Sequence, residues 1–209
     1  MIGNDIVDLA DPQARGKNRD IRFIERVFTP DEQRRIQKSD EPDIVLWSLW
    51  AGKETGYKAI SKTHPAVSSS PGQYEIQLFD SPLPESGTVE TPCGPVSVRF
   101  CITGEYIHCI GATTDKGLDS IMWDVQTMLL PEIAPDYQSD FVRNMTREKI
   151  SRYLKEDLET IEIIRPQEHH GLGPPAGYAG RKKTAIDISM SHDGHFVAYA
   201  LQDTTNHIH

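Results

Sequence analysis

An α+β protein built from two similar halves is the fold class this sequence predicts, and three observations predict it. The order helix, strand, loop, strand, turn, strand occurs twice, once over residues 43–112 and again over 141–201. Within the strand-like runs, apolar and polar residues alternate. Tight turns at Gly104 and at Asp193-Gly194 join the last two strands of each set into hairpins. A weak internal repeat of this kind implies a pseudo-two-fold pair of α+β halves, expected here as residues 1–128 and 129–209.

The elements follow in order. Met1 to Leu9 is a short apolar run ending in a carboxylate, which suits a buried strand. From Asp20 onward Ile21, Ile24 and Val27 recur at helical spacing, and the surrounding stretch 11–27 carries five cations against three acids. In VFTPDEQRRI, Thr29 is an N-cap, Pro30 the first helical residue and Glu32 the reciprocal cap, so a second helix starts there. Asp43 to Lys62 is the clearest helix, with Ile44, Leu46, Trp47, Leu49, Trp50, Tyr57 and Ile60 as its apolar stripe. Strands are expected at Tyr74 to Asp80, Val96 to Thr103 and Tyr106 to Ala112, and loops in the Pro- and Gly-rich stretches 81–94 and 165–183. Residues 128–139 read as a connector. Beyond it come a helix around Phe141 to Leu158, a strand Thr160 to Arg165 and the hairpin TAIDISMSHDGHFVAYAL.

Composition removes several functions. The 209 residues hold 22 Lys and Arg against 31 Asp and Glu, a net charge of -9, with mean hydropathy -0.48. That balance opposes bulk attraction to nucleic acid or to an anionic membrane, so an anionic partner needs a local basic patch. No window approaches the ~18 apolar residues of a membrane span, and the opening MIGNDIVDL lacks the cationic flank of a signal peptide, so a cytoplasmic protein is expected. Cys93, Cys101 and Cys109 form no CxxC pair and read as small core residues in a reducing compartment.

Four places could carry chemistry. Glu54 and Lys58 lie four apart, about 40° around a helix, on the side of Trp47 and Trp50. They are either an ordinary surface pair or a partly buried pair that requires a metal or phosphate partner. Asp5 is an acid inside an apolar run and must be capped, paired or bound to a cation; with Glu54 it would suit Mg²⁺, which keeps waters and takes substrate phosphate oxygens. Ser191-His192 stands at a sheet rim before a turn, where a capping role and a ligand-binding role are both open. Gly180-Arg181-Lys182-Lys183 is a solvated charge run or a phosphate holder. No GxxxxGK[ST], GxGxxG or HExxH element occurs, and His169-His170 has no spaced third metal ligand.

In these residues the chain resembles the 4'-phosphopantetheinyl transferase superfamily. GNDIVDL at 3–9 is similar to the family's G-x-D-I-V-E-[LI], FTPDE at 28–32 to F-[ST]-x-x-E, and WAGKETGYKA at 50–59 to W-x-x-K-E-[AS]-x-x-K; ISMSHDGHFVAYA at 188–200 is similar to its SH hairpin. The resemblance implies that a carrier-protein serine attacks the pantetheine-side phosphate of coenzyme A, releasing 3',5'-adenosine bisphosphate. Asp5 and Glu54 would bind Mg²⁺, Lys58 would neutralise developing charge, and Glu54 or a metal-bound water beside it would be the base. Ser191 and His192 would contact a coenzyme A phosphate, with Arg181 or Lys182 near it. The partner would be an acyl or peptidyl carrier protein of fatty acid, polyketide or peptide synthesis, and the arginines of 15–26 could dock it.

There are departures. Val7 stands where two-domain members have a second metal-binding Glu, and Asp8 occupies the Glu position of the short holo-acyl-carrier-protein synthase type. The SH hairpin follows the DIVD and KE motifs, opposite to the order in two-domain members. A permuted pseudo-dimer is implied, a monomer with one active site between its halves. A catalytically silent relative that binds coenzyme A or a carrier protein is the alternative.

Overall fold

The computed structural model describes residues 1–79, 83–129, 135–168 and 171–205. The chain opens with β1 (Ile2–Asp8), every residue of which is buried. α1 (Ile21–Val27) is capped by Asp20, whose carboxylate accepts the Phe23 N–H. α2 (Pro30–Lys38) has the expected reciprocal cap between Thr29 and Glu32. α3 (Pro42–Ser61) then runs beneath β2 (Glu75–Leu78), β3 (Ser86–Glu90), β4 (Val96–Ile102) and β5 (Tyr106–Ala112). The short α4 (Asp115–Leu118) leads to β6 (Met122–Thr127) and α5 (Pro135–Leu154). After β7 (Ile161–Ile164) come the two-residue strands β8 (Gln167–Glu168) and β9 (Gly171–Leu172), then β10 (Ala176–Ala179), β11 (Lys182–Asp193) and β12 (Phe196–Asp203).

The architecture is α+β, with two five-stranded antiparallel sheets ordered β1-β5-β4-β3-β2 and β6-β12-β11-β10-β7. These are the same order when the second set is matched strand for strand to the first. Each sheet covers one 20-residue helix, α3 or α5, over its own apolar core. Close approach in the first half depends on Gly3, where a Cβ would lie 2.1 Å from the Thr55 carbonyl oxygen of α3. Lys53 and Glu32, both in the sequence motifs, form a fully buried ion pair at 2.7 Å. Glu32 also accepts the Thr29 and Ile76 N–H groups, and Lys53 donates to the Pro71 and Tyr74 carbonyls, so every charge-bearing atom is occupied. This pair fastens α2, α3 and β2 together.

The halves meet along β1. One edge of β1 pairs with β5; the other is closed by side chains of β11 in place of a strand. Asp187, Ser189 and Asp193 accept the N–H groups of Ile2, Asn4 and Asp8, and Ser191 accepts the Asn4 amide. Odd-numbered residues of β11 therefore face the first half. Even-numbered Ile186, Ile188 and Met190 face α5. Ile2, Ile6, Ile110, Phe196 and Ala200 fill the seam.

Several expectations need correction. The stretches 81–94 and 165–183, expected as loops, contain β3 and β8 to β10; short, Gly-bearing strands carry little apolar periodicity. α5 starts at Pro135 and ends at Leu154, earlier at both ends than expected, because Leu158 belongs to a separate 3-10 turn. Part of the 128–139 connector, with His169-His170, lies outside the described residues. β6, which precedes the boundary expected at 128 and 129, pairs with β12 in the second sheet. Cys93 is exposed rather than core, whereas Cys109 is buried in β5. Among the described residues no helix is long and apolar enough to cross a membrane.

Candidate active site

Two cavities lie against the seam and share His192. The first, about 340 Å³, is lined by Lys58, Lys62, Arg143 and Arg165 with no carboxylate among its lining residues; Tyr57, Pro174, Pro175 and Met190 supply apolar wall. The second, about 370 Å³, is lined by Asp5, Asp11, Glu54 and Asp193 beside Phe23, Trp47 and Trp50. A cationic cleft thus abuts an acidic, aromatic pocket, in a chain whose net charge is -9.

The divide between them is built from β1, α3 and the end of β11. Lys58 of α3 donates to the Asp5 carboxylate at 2.7 Å and to the Asn4 carbonyl at 3.0 Å. It therefore pairs with Asp5 on the facing strand, and Glu54, one turn earlier on the same helix, has no hydrogen bond or ion pair among the described residues. Burial pushes the Asp5 carboxyl above its ordinary range, against the pull of Lys58. Burial, and then the negative charge of Asp5, push Glu54 the same way. Burial and the charge of Lys58 hold the His192 imidazole below its usual value. Its Nε2 lies 3.2 Å from the Ser139 hydroxyl of α5.

Among the described residues no group of three or more His, Cys, Asp and Glu is arranged to hold a metal ion. The donor set nonetheless fits one kind of cation. A buried Asp5 and a half-buried Glu54 whose ionised form Asp5 disfavours are relieved by a divalent ion, and Mg²⁺ needs only one or two carboxylates, filling its shell with water and phosphate oxygens.

Asp5 of β1, Glu54 and Lys58 of α3 and His192 of β11, drawn from three separate stretches of sequence, are brought together. Ser191 is not with them. It is buried, turned into the seam and hydrogen-bonded by Asn4 at 2.9 Å, since neighbours on a strand point to opposite faces. Arg181 and Lys182 are exposed at the β10–β11 turn, and ten residues of strand, interrupted by a shift of register between Lys183 and Asp187, separate Lys182 from His192 by at most about 33 Å. Asp8 also stands apart: its carboxylate accepts the Ala10 and His195 N–H groups.

Apart from Lys58, the cations that line the cleft went unread in the sequence. Lys62 is bound to Asp187 at 2.6 Å and to the Ile188 carbonyl, tying the end of α3 to β11. Its signal was present, four residues after Lys58 on the same helix face. Arg165 donates to the Gly173 and Leu172 carbonyls and so braces the Gly-Pro-Pro strap that walls the cleft. Arg143 pairs with Asp140 on α5; nothing local in the sequence marked either arginine.

The family model for the 4'-phosphopantetheinyl transferase superfamily matches residues 1–104, the stretch from β1 through β4 that contains Asp5, Glu54 and Lys58. No curated protein matches the chain.

Proposed function

The chain belongs, through residues 1–104, to the 4'-phosphopantetheinyl transferase superfamily, and on that premise we propose that it transfers 4'-phosphopantetheine from coenzyme A to a serine of an acyl or peptidyl carrier protein. The observation that carries this reading is the junction at Asp5, Lys58 and His192, where a carboxylate-free cationic cleft opens onto a pocket holding two carboxylates. Coenzyme A is a polyanion with an apolar arm, and a cleft mixing Lys58, Lys62 and Arg143 with proline and tyrosine walls suits it.

Phosphoryl transfer is mostly positioning and electrostatic stabilisation. Lys58 and His192 would bind the diphosphate at the divide. Glu54 would accept the proton of the carrier serine hydroxyl as its oxygen attacks the pantetheine-side phosphorus. The bond from that phosphorus to the oxygen bridging the two phosphates breaks, and 3',5'-adenosine bisphosphate leaves with the electron pair. Asp5 and Glu54 would hold Mg²⁺, which supplies neutralisation of the diphosphate charge. The aromatic pocket would exclude water around the incoming serine. Arg15, Arg19, Arg22 and Arg26 are exposed on the segment flanking that pocket and would dock an acidic carrier. Because both halves of the site come from one chain, it would act as a monomer.

The test is incubation with coenzyme A, Mg²⁺ and an apo carrier protein, followed by intact-mass measurement of the carrier. The carrier should gain one phosphopantetheine, and the gain should vanish with Glu54→Gln. Binding of coenzyme A or carrier without any mass gain would replace this reading with the silent-relative alternative.

A further inference from the structure

Asp8 sits three residues after Asp5 on β1, fully buried, and its contacts run across the seam. Its Oδ2 accepts the His195 N–H at 2.9 Å, its Oδ1 accepts the Ala10 N–H at 2.8 Å, and its own N–H donates to Asp193 at 2.8 Å. The hairpin tip Asp193-Gly194-His195 is therefore bolted to the end of β1. A second bolt comes from α5, where buried Gln138 donates to the Gly194 carbonyl at 2.7 Å. The fit leaves no slack: Gly194 has φ +51, and a Cβ there would lie 2.1 Å from Asp8 Oδ2.

The geometry points to Asp8 as a positioning residue that sets His192 against Asp5, with no role as a metal ligand. The inference rests on the transferase reading for the part His192 plays with coenzyme A. Asp5 stands on β1 and His192 at the end of β11, so the two belong to different sheets, and their relative position depends on what fixes these two elements to each other. Asn4 does so beside the site through Ser191, and Asp8 does so at the hairpin tip that follows His192. Both its carboxylate oxygens are committed to backbone N–H groups, which leaves Asp5 and Glu54 as the acids facing the pocket from β1 and α3.

Asp8→Asn is the informative change, because in either orientation its amide NH₂ meets a backbone N–H. A double-mutant cycle with His192→Ala tests the idea. Each single variant should raise the KM for coenzyme A by roughly tenfold or more, the size of one contact to a charged group, with the carrier KM unchanged. The double variant should be no worse than the worse single one, since Asp8 acts through His192. Mn²⁺ binding in the presence of coenzyme A should survive Asp8→Asn and be lost in Asp5→Asn. Multiplied losses in the double variant, or loss of Mn²⁺ binding in Asp8→Asn, would overturn the assignment. If Asp8→Asn does not fold, Gln138→Ala takes its place in the cycle, with the same results expected and the same multiplied losses overturning the clamp. The cycle can also be read on coenzyme A binding by calorimetry, so a wild type that binds without transferring would sink the transferase reading and still decide the clamp.

Discussion

The two halves of this protein share a scaffold and differ in what they place at its end. Both hairpins close over two residues: Thr103 meets Tyr106 at one tip, and Asp193 meets Phe196 at the other. Counting back from the tips, Ile102 pairs with Ile107 as His192 pairs with Val197. Asp5 lies opposite Cys109, three residues beyond Tyr106, and Asp124 lies opposite Tyr199, three beyond Phe196. Asp124 is thus the counterpart of Asp5, and Ile102 the counterpart of His192. Asp5 meets Lys58, whereas Asp124 accepts the neighbouring Val125 N–H. A second site would need a histidine where Ile102 stands and a carboxylate-lysine helix where α5 stands. The two sheets supply two matching frames, and among the described residues the side chains complete one junction.

The sharpest way to break that comparison is to remove the equivalent acids. Glu54→Gln or Asp5→Asn should lower transfer by on the order of 10³-fold, the range of a lost general base or preorganised charge, while Asp124→Asn should leave it unchanged in a steady-state assay. Next in size is the buried Lys53–Glu32 pair of the first half, which has no counterpart among the described residues of the second. Lys53→Met or Glu32→Gln alone should destabilise the protein by about 3–5 kcal/mol in denaturant titration, because each leaves a buried charge unpaired. Changing both should cost much less than the sum of the two.

The seam supplies a third prediction. His108 of β5 is buried against Asn4 and the Trp123 ring, and burial pushes its imidazole down to about 3. The unfolded chain binds a proton near 6.5 and the folded one does not until about 3, so stability should fall as pH drops through that window. Thermal melts of wild type and His108→Gln between pH 7 and 4 should diverge, the variant losing less. The smallest effect concerns docking. Reversing Arg19 and Arg22 to Glu should raise the carrier KM by roughly tenfold at low salt, shrinking as salt screens it, and leave the coenzyme A KM alone.

Much of this arrangement is written in local sequence. Periods of 3.6 and 2 marked α3, β4, β5 and β11–β12, and the reciprocal cap marked α2. β3, β6 and β10 escaped because they are short and, in part, glycine-bearing, so tertiary pairing rather than pattern defines them. Asp5, Glu54 and Lys58 were legible because charge within apolar surroundings demands a partner. Ser191 misled by adjacency to His192, although strand alternation already forbids both from facing one cleft. Arg181 and Lys182 stood out by charge alone, and the 12-residue β11 separates them from His192. Arg143 and Arg165 enter the cleft only through the packing of the two halves, which no local signal encodes.

Diffraction from crystals soaked with Mn²⁺ and coenzyme A reads the asymmetry of the halves most directly. The account predicts an anomalous peak bridging Asp5 and Glu54, with the diphosphate beside Lys58 and His192 and the rest of coenzyme A in the cleft walled by Tyr57 and Pro174. A peak at Asp124, or coenzyme A bound away from that cleft, would contradict it.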